Sequence, residues 1–93
     1  MKNEIDEKKL TKYFNLTSRG LKEVKKNIIK GKEKEAGEII EMVSNYLSDA
    51  QHFKKQGRWI DAFAALNYAH GWIDAGVRLG IFDVDDRDLF TVR

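Results

Sequence analysis

Two short runs of polar side chains are the residues of this chain whose types could do chemistry. The runs are Asn45, Asp49 and His52, and then Asn67, His70 and Asp74. Steps of three and four residues place side chains on one face of an α-helix. A carboxylate, an imidazole and an amide that converge could bind a metal ion or a small molecule, or take part in acid/base chemistry. One candidate binding site therefore consists of Asp49, Asn67, His70 and Asp74.

The same side chains also fit a structural role. If the two runs lie on antiparallel helices joined at Gly57, Asp49 comes level with Asn67. Buried polar groups that satisfy one another, here with Tyr68 or Trp72, fix the register of packed helices. No HExxH-type spacing and no nucleophile accompanies them. We therefore favour the structural role, and predict no catalytic residue, no metal site and no cofactor.

Hydrophobic periodicity predicts the elements that carry these residues. Apolar side chains recur at steps of three and four in three segments, at about residues 5–29, 33–56 and 58–80. Gly31 and Gly57 follow the first two segments, Asp6 or Asn3 is placed to cap the first, and the chain has no proline. The prediction is an all-α fold, an up-and-down three-helix bundle in a single domain of residues 1–93. Residues 81–93 form an irregular tail whose Phe82 and Phe90 dock on the bundle.

The third helix differs from the other two in composition. From Arg58 to Gly80 it has no lysine and no glutamate, although charged residues make up 34% of the chain. A helix that is apolar nearly all round is buried on more than one side, or presents a binding surface. Its small residues on one edge permit close helix contact: Ala62, Ala65, Ala69, Gly76 and Gly80. Its candidate interface aromatics are Trp59, Tyr68 and Trp72.

The front of the chain is basic. Six lysines cluster where the first helix meets the second: Lys22, Lys25, Lys26, Lys30, Lys32 and Lys34. They could grip phosphates in a salt-sensitive, sequence-blind way. No arginine and no aromatic residue interleaves them, which argues against nucleic acid as the main partner.

Compartment is constrained by what the chain lacks. There is no cysteine, no apolar leader in MKNEIDEKKL, and no apolar run long enough to span a membrane. The expectation is a cytoplasmic protein with no membrane partner.

Two stretches resemble a known family: YLSDAQHFKKQGRWIDAFAALNYAHGWIDAGVRLGIF from Tyr46 to Phe82, and YFNLTSRGLKEVKK near the front. They are similar to the archaeal family catalogued as domain of unknown function 357. The resemblance implies a compact three-helix bundle in an archaeal cytoplasm, and implies no established activity. The family's recognisable residues fall here on Asp49, Ala50, Phe53, Gly57, Ala62, Phe63, Asn67, Tyr68, Ala69, Gly71, Trp72, Asp74, Ala75, Gly76 and Gly80.

The function hypothesis is a noncatalytic helical module that binds another protein or a second copy of itself. It would use the aromatic surface and the small-residue edge of the third helix. Two alternatives stay open. One is a small-molecule or metal-binding accessory subunit using Asp49, Asn67, His70 and Asp74; the other is weak nucleic-acid binding through the lysines from Lys22 to Lys34.

Overall fold

Three helices make up the fold. The computed structural model describes residues 6–85, in which α1 is Glu7–Lys25, α2 is Glu33–Lys55 and α3 is Trp59–Arg78. No strand is present within that range; one isolated antiparallel bridge joins Ile28 to Phe82. Both other helices pack on α3, and the contact between α2 and α3 is the more extensive. The all-α three-helix bundle is confirmed.

Helix α1 begins as predicted and ends earlier than predicted. The carboxylate of Asp6 accepts a hydrogen bond of 2.7 Å from the backbone N–H of Lys9, which caps the helix. The helix stops at Lys25, four residues short of the expected end, and the Asn27 side chain donates to the Glu23 carbonyl at 2.8 Å. Gly31, with φ of +93°, therefore belongs to the turn before α2 and does not cap α1.

The α2–α3 hairpin has the predicted register. Gly57 turns the chain with φ of +74°, a left-handed conformation that glycine adopts without strain. Tyr46 and Tyr68 stand the same number of residues before and after Gly57, and their rings stack with centroids 5.4 Å apart and planes 16° apart. The two helices therefore run antiparallel and lie level along their length.

Small residues form the centre of the core. Ala62 and Ala69 are fully buried on α3, and Ala36 and Ala50 are buried on α2. Small side chains let two helix axes approach toward the short end of the usual 8–10 Å range. Longer side chains close the two ends and the α1 side of this core: Leu10, Leu21, Val24, Val43, Leu47, Leu66, Ile73 and Val77.

The segment after α3 returns to the bundle through Phe82. This ring is only 2% exposed, and it lies where a Cβ on Gly76 would be 2.5 Å from its Cε2 atom. Around it the Ile29 N–H donates to the Ile81 carbonyl at 3.0 Å, and the Asp83 N–H donates to the Asn27 carbonyl at 2.7 Å. The docking of Phe82 is confirmed; Phe90, the other predicted contact, lies outside the described residues.

Candidate functional site

The predicted polar site is not assembled as a buried network. Asp49 and Asn67 are both exposed, and no hydrogen bond joins them in the described part of the chain. The interpretation of these two side chains as buried partners that fix register is therefore wrong. The register is held by apolar packing and by the Tyr46–Tyr68 stack, which need no buried polar group.

His70 and Asp74 do come together. The Nε2 atom of His70 lies 3.5 Å from an oxygen of Asp74, one helical turn away, and both side chains are about three-quarters covered. Each lies on the edge of α3 that faces α1, because His70 is two turns beyond Phe63, whose ring packs edge-on against Tyr13 at 5.2 Å. Such an ion pair needs a protonated imidazole and contributes a few tenths of a kcal/mol on a helix surface.

Asp49 lies on α2, on the side of α3 opposite to the edge that carries His70. It follows Tyr46 by three residues on α2, and Tyr46 stacks on Tyr68 at the edge of α3 that faces α2. Within residues 6–85 no three histidine or carboxylate side chains converge in a way that could hold a metal ion. The four predicted binding residues therefore do not form one site. His70 and Asp74 lie together on the α1-facing edge, whereas Asn67 lies on the solvent-facing side of α3 and Asp49 lies on α2.

Between these edges, α3 presents a largely apolar surface, which we call the outer face; the exposed side chains of Asp61 and Arg78 lie at its two ends. Its residues recur at steps of three and four along the whole helix and onto the C-cap residue: Ile60, Ala64, Asn67, Tyr68, Gly71, Trp72, Ala75 and Leu79. Ile60 is 77% exposed, Leu79 72% and Tyr68 63%. Asn67 is the one polar side chain among them. Exposure of this many large apolar side chains on one stripe marks the outer face as the candidate functional surface.

The outer face has the shape of a shallow groove. A hollow of about 620 Å³ occupies its middle, with a floor of Ala64, Gly71 and Ala75 and one wall formed by Tyr68 and Trp72. The floor is open, since a Cβ built on Gly71 would meet nothing within 4 Å. The Tyr68 wall is held by its stack on Tyr46, so the groove exists before anything binds.

A second hollow adjoins the first at Trp72, and Leu79 lines it as well. It has a volume of about 500 Å³ and a floor of Ile39, Met42 and Ile81. Three carboxylates of α2 stand around it: Glu35, Glu38 and Glu41. The apolar surface therefore continues past Trp72 toward an acidic rim on α2.

Two parts of the predicted interface lie elsewhere. Trp59 is half-buried and packs against the core, away from Tyr68 and Trp72. On the small-residue edge, Ala62, Ala65, Ala69 and Gly76 are buried inside the bundle. The prediction that the small-residue edge is an interface is therefore wrong, because those residues already form the contact between α2 and α3.

Sequence reasoning missed most of the outer face. Ile60, Ala64, Gly71, Ala75 and Leu79 were not selected as interface residues. The signal was available, since these positions repeat at intervals of four and seven residues with no lysine or glutamate between them. This pattern was hard to recognise because the buried small residues of α3 repeat at similar intervals and are close to the outer-face positions in sequence.

The six lysines of the α1–α2 corner are all exposed. Lys22 and Lys25 line a small depression of about 280 Å³ together with Arg19 and Ser18. Glu33 turns back on the corner and accepts hydrogen bonds of 3.1 Å from the Gly31 N–H. The corner is a solvated basic surface without an aromatic wall.

Across residues 6–85, every helix falls short of the length and apolarity that a bilayer crossing requires. Residues 12–82 match the sequence profile of the family described as "Protein of unknown function (DUF357)". No curated protein matches the chain, and no solved structure does.

Proposed function

The chain belongs to the DUF357 family, and from that premise we propose that it is a noncatalytic helical module whose outer face on α3 binds a protein. The proposal places the module in an archaeal cytoplasm, a reducing compartment that suits a chain without cysteine. Its partner presents an apolar helical surface that lies on the groove floor beside Tyr68 and Trp72.

The observation that carries the proposal is the continuous apolar outer face. A small monomer that leaves Ile60, Tyr68 and Leu79 in water pays a hydrophobic penalty at each, which burial against a partner removes at about 25 cal/mol per Å². Contiguous apolar patches of this kind mark interaction sites. Tyrosine and tryptophan, which form the walls, are enriched at the centres of protein interfaces.

The shape of the outer face favours a helix as the occupant. Its floor of Ala64, Gly71 and Ala75 allows another helix to approach closely, because these three residues have small side chains or none. The Tyr68 ring is pre-ordered by its stack on Tyr46, which lowers the entropic cost of binding. An amphipathic helix laid in an apolar groove is a common mode of peptide recognition.

Two helical glycines provide the test. Gly71 lies on the outer face and Gly37 lies on the exposed side of α2, and a Cβ at either would meet nothing within 4 Å. We would replace each in turn with benzoylphenylalanine and irradiate cells that make the protein. Crosslinks from position 71, with the captured polypeptide identified and its binding then measured with purified components, support the proposal. No crosslink from position 71, or equal crosslinks from position 37, would contradict it.

A small-molecule alternative is favoured by the same groove, which is large enough for a compact aromatic ligand. A panel of metals, nucleotides and aromatic compounds would be screened for a rise in melting temperature. A rise that Gly71→Lys abolishes, and that Asp49→Ala leaves intact, would assign such a ligand to the outer face. A rise lost with Asp49→Ala would instead assign it to the predicted polar residues.

The nucleic-acid alternative rests on the six exposed lysines of the α1–α2 corner. Binding through them would weaken steeply with salt, and would be lost when Lys25, Lys26 and Lys30 are replaced by glutamine. Gly71→Lys would leave such binding unaffected, which separates it from any function of the outer face.

A further inference from the structure

We propose that the protein bound by the outer face is a second copy of this chain, paired through α3 in an antiparallel, two-fold arrangement. This inference rests on the proposed function, whose site it shares. It specifies the partner and the register, both of which follow from how residues are distributed along the outer face.

The outer face is self-complementary about its midpoint. An axis between Ala69 and His70 brings Ala64 level with Ala75 of a second copy, and Tyr68 level with Gly71. The same axis brings Ile60, at one exposed end, level with Leu79 at the other. A two-fold interface requires this property, since each residue must find an acceptable neighbour in the mirrored position of the same sequence.

The small residues set the closeness of the contact. Ala64, Gly71 and Ala75 form the floor of the groove, and space above Gly71 is open. Paired antiparallel, Ala64 of each copy faces Ala75 of the other, and Gly71 leaves room for Tyr68 of the second copy. Two helices can then pack toward the short end of the 8–10 Å range of interaxial distances.

The aromatic walls would then meet. A two-fold axis perpendicular to two antiparallel helices turns each edge of one helix toward the same edge of the other. Tyr68 and Trp72 lie on the edge that faces α2. The pairing therefore places Tyr68 within one residue, about 1.5 Å along the axis, of the level of Trp72 of a second copy. This happens twice in the dimer, and each pair of rings is within reach of an offset or edge-on contact.

Charge favours antiparallel over parallel pairing. Asp61 lies near one end of the outer face and Arg78 at the other, and both are exposed. Antiparallel copies put acid and base at the same level, whereas parallel copies would align like charges. Arg58 contacts Asp61 only through Oδ2, at 2.8 Å and 2.9 Å, so Arg58 does not use the Oδ1 acceptor that an arginine of a second copy would need.

The expected dimer is weak. The helix part of the outer face is roughly 30 Å long and 10 Å wide, so each copy contributes on the order of 300 Å² through α3 alone. A standard interface buries about 800 Å² per partner. We therefore expect exchange between monomer and dimer with a dissociation constant in the micromolar range or weaker.

Oligomeric state is the first measurement. Light scattering and sedimentation equilibrium, from micromolar to about millimolar protein, should give an average mass that rises from one chain toward two. Ala64→Glu places a charge on the groove floor and should weaken dimerisation about tenfold or more. Gly37→Glu, on the far side of α2, is the matched control and should leave it unchanged; equal losses would overturn the proposal.

The second measurement is the register of the dimer. Because the chain has no cysteine, any disulfide must form between introduced cysteines. Single variants Ala64→Cys and Ala75→Cys would be oxidised alone and as a mixture, with helical content checked by circular dichroism. A disulfide needs Cα atoms within about 7 Å. In the proposed register only the mixture meets that limit, because residue 64 of one copy lies about 16 Å along the axis from residue 64 of the other.

The outcomes separate this inference from the proposed function. Crosslinked dimer in the mixture alone supports the antiparallel register, and dimer from either variant alone overturns it. A mass of one chain up to about millimolar concentration overturns self-association. If position 71 then captures a different protein, the outer face is still an interface and only the identity of the partner was wrong; if it captures nothing, both proposals fail.

Discussion

Two glycines five residues apart on α3 show how differently its two sides are used. A Cβ built on Gly76 would come within 2.5 Å of the Phe82 ring and 3.2 Å of Ile39, whereas one built on Gly71 would meet nothing within 4 Å. The inner side is therefore filled to the point where a methyl group does not fit. The outer side also has small residues, Ala64, Gly71 and Ala75, but these are exposed to solvent.

The contrast teaches that residue type alone does not separate core from interface. Ala65 and Ala64 are neighbours in sequence; the first is 6% exposed and the second lies in the open groove floor. On the inner side, small residues permit the close approach of α2, and this contact stabilises the bundle. On the outer side, small residues can permit close approach only of a helix that belongs to another molecule.

The largest difference in stability between the inner and outer sides of α3 is expected for substitutions of two leucines. Leu66 is 2% exposed on the inner side, and Leu79 is 72% exposed at the end of the outer face. Leu66→Ala should lower the free energy of unfolding by about 2–5 kcal/mol, because it leaves a cavity in the core. Leu79→Ala should change it by about 0.5 kcal/mol or less. Urea denaturation of both variants at low concentration measures this, and similar losses would show that the outer face is packed in solution.

A second test uses the two glycines and predicts opposite signs. Gly76→Ala should destabilise by about 1–3 kcal/mol, because Phe82 is enclosed and cannot move away cheaply. Gly71→Ala should stabilise by up to about 1 kcal/mol, because alanine is the better helix former and its methyl group meets open space. Thermal unfolding of the two variants beside the wild type provides the comparison. A stabilised Gly76→Ala would mean that Phe82 does not dock on α3.

Sequence periodicity predicted the fold because the helices are locally determined. Three amphipathic segments, an Asp6 cap and a turn at Gly57 each leave a local pattern, and each is confirmed. The end of α1 was misplaced because a non-local contact decides it. Residues 27–29 leave the helix to exchange backbone hydrogen bonds with residues 81–83, which no pattern near Lys25 reveals.

The candidate site was predictable only in part for a related reason. Tyr68 and Trp72 were selected for their type, and the groove does have them as walls. Trp59 was selected on the same ground, yet its ring turns toward the core. A helix that is apolar nearly all round has no polar stripe to indicate its outward direction, so periodicity could not orient α3.

The Tyr46–Tyr68 stack tests whether the groove wall is built by the monomer. Tyr68→Ala should cost about 1 kcal/mol, and a double-mutant cycle with Tyr46→Ala should give a coupling of roughly 0.5–1.5 kcal/mol. Tyr68→Phe keeps the ring and should cost almost nothing. Denaturation at a concentration where the protein is monomeric isolates this effect from any dimer. A coupling of zero would mean that the wall is free to move and that the groove forms only on binding.

The smallest effect is expected where a polar pair borders the outer face. Arg58 and Asp61 are about half exposed and lie 2.8 Å apart, so solvent screens most of their attraction. Asp61→Asn should lower monomer stability by about 0.5 kcal/mol or less, and the loss should shrink as salt is added. If α3 pairs with a second copy, the same change removes a carboxylate that stands level with Arg78 of that copy. If Asp61→Asn changes the free energy of dimerisation more than the free energy of unfolding, this carboxylate belongs to the interface. Equal changes would mean that it acts only within α3.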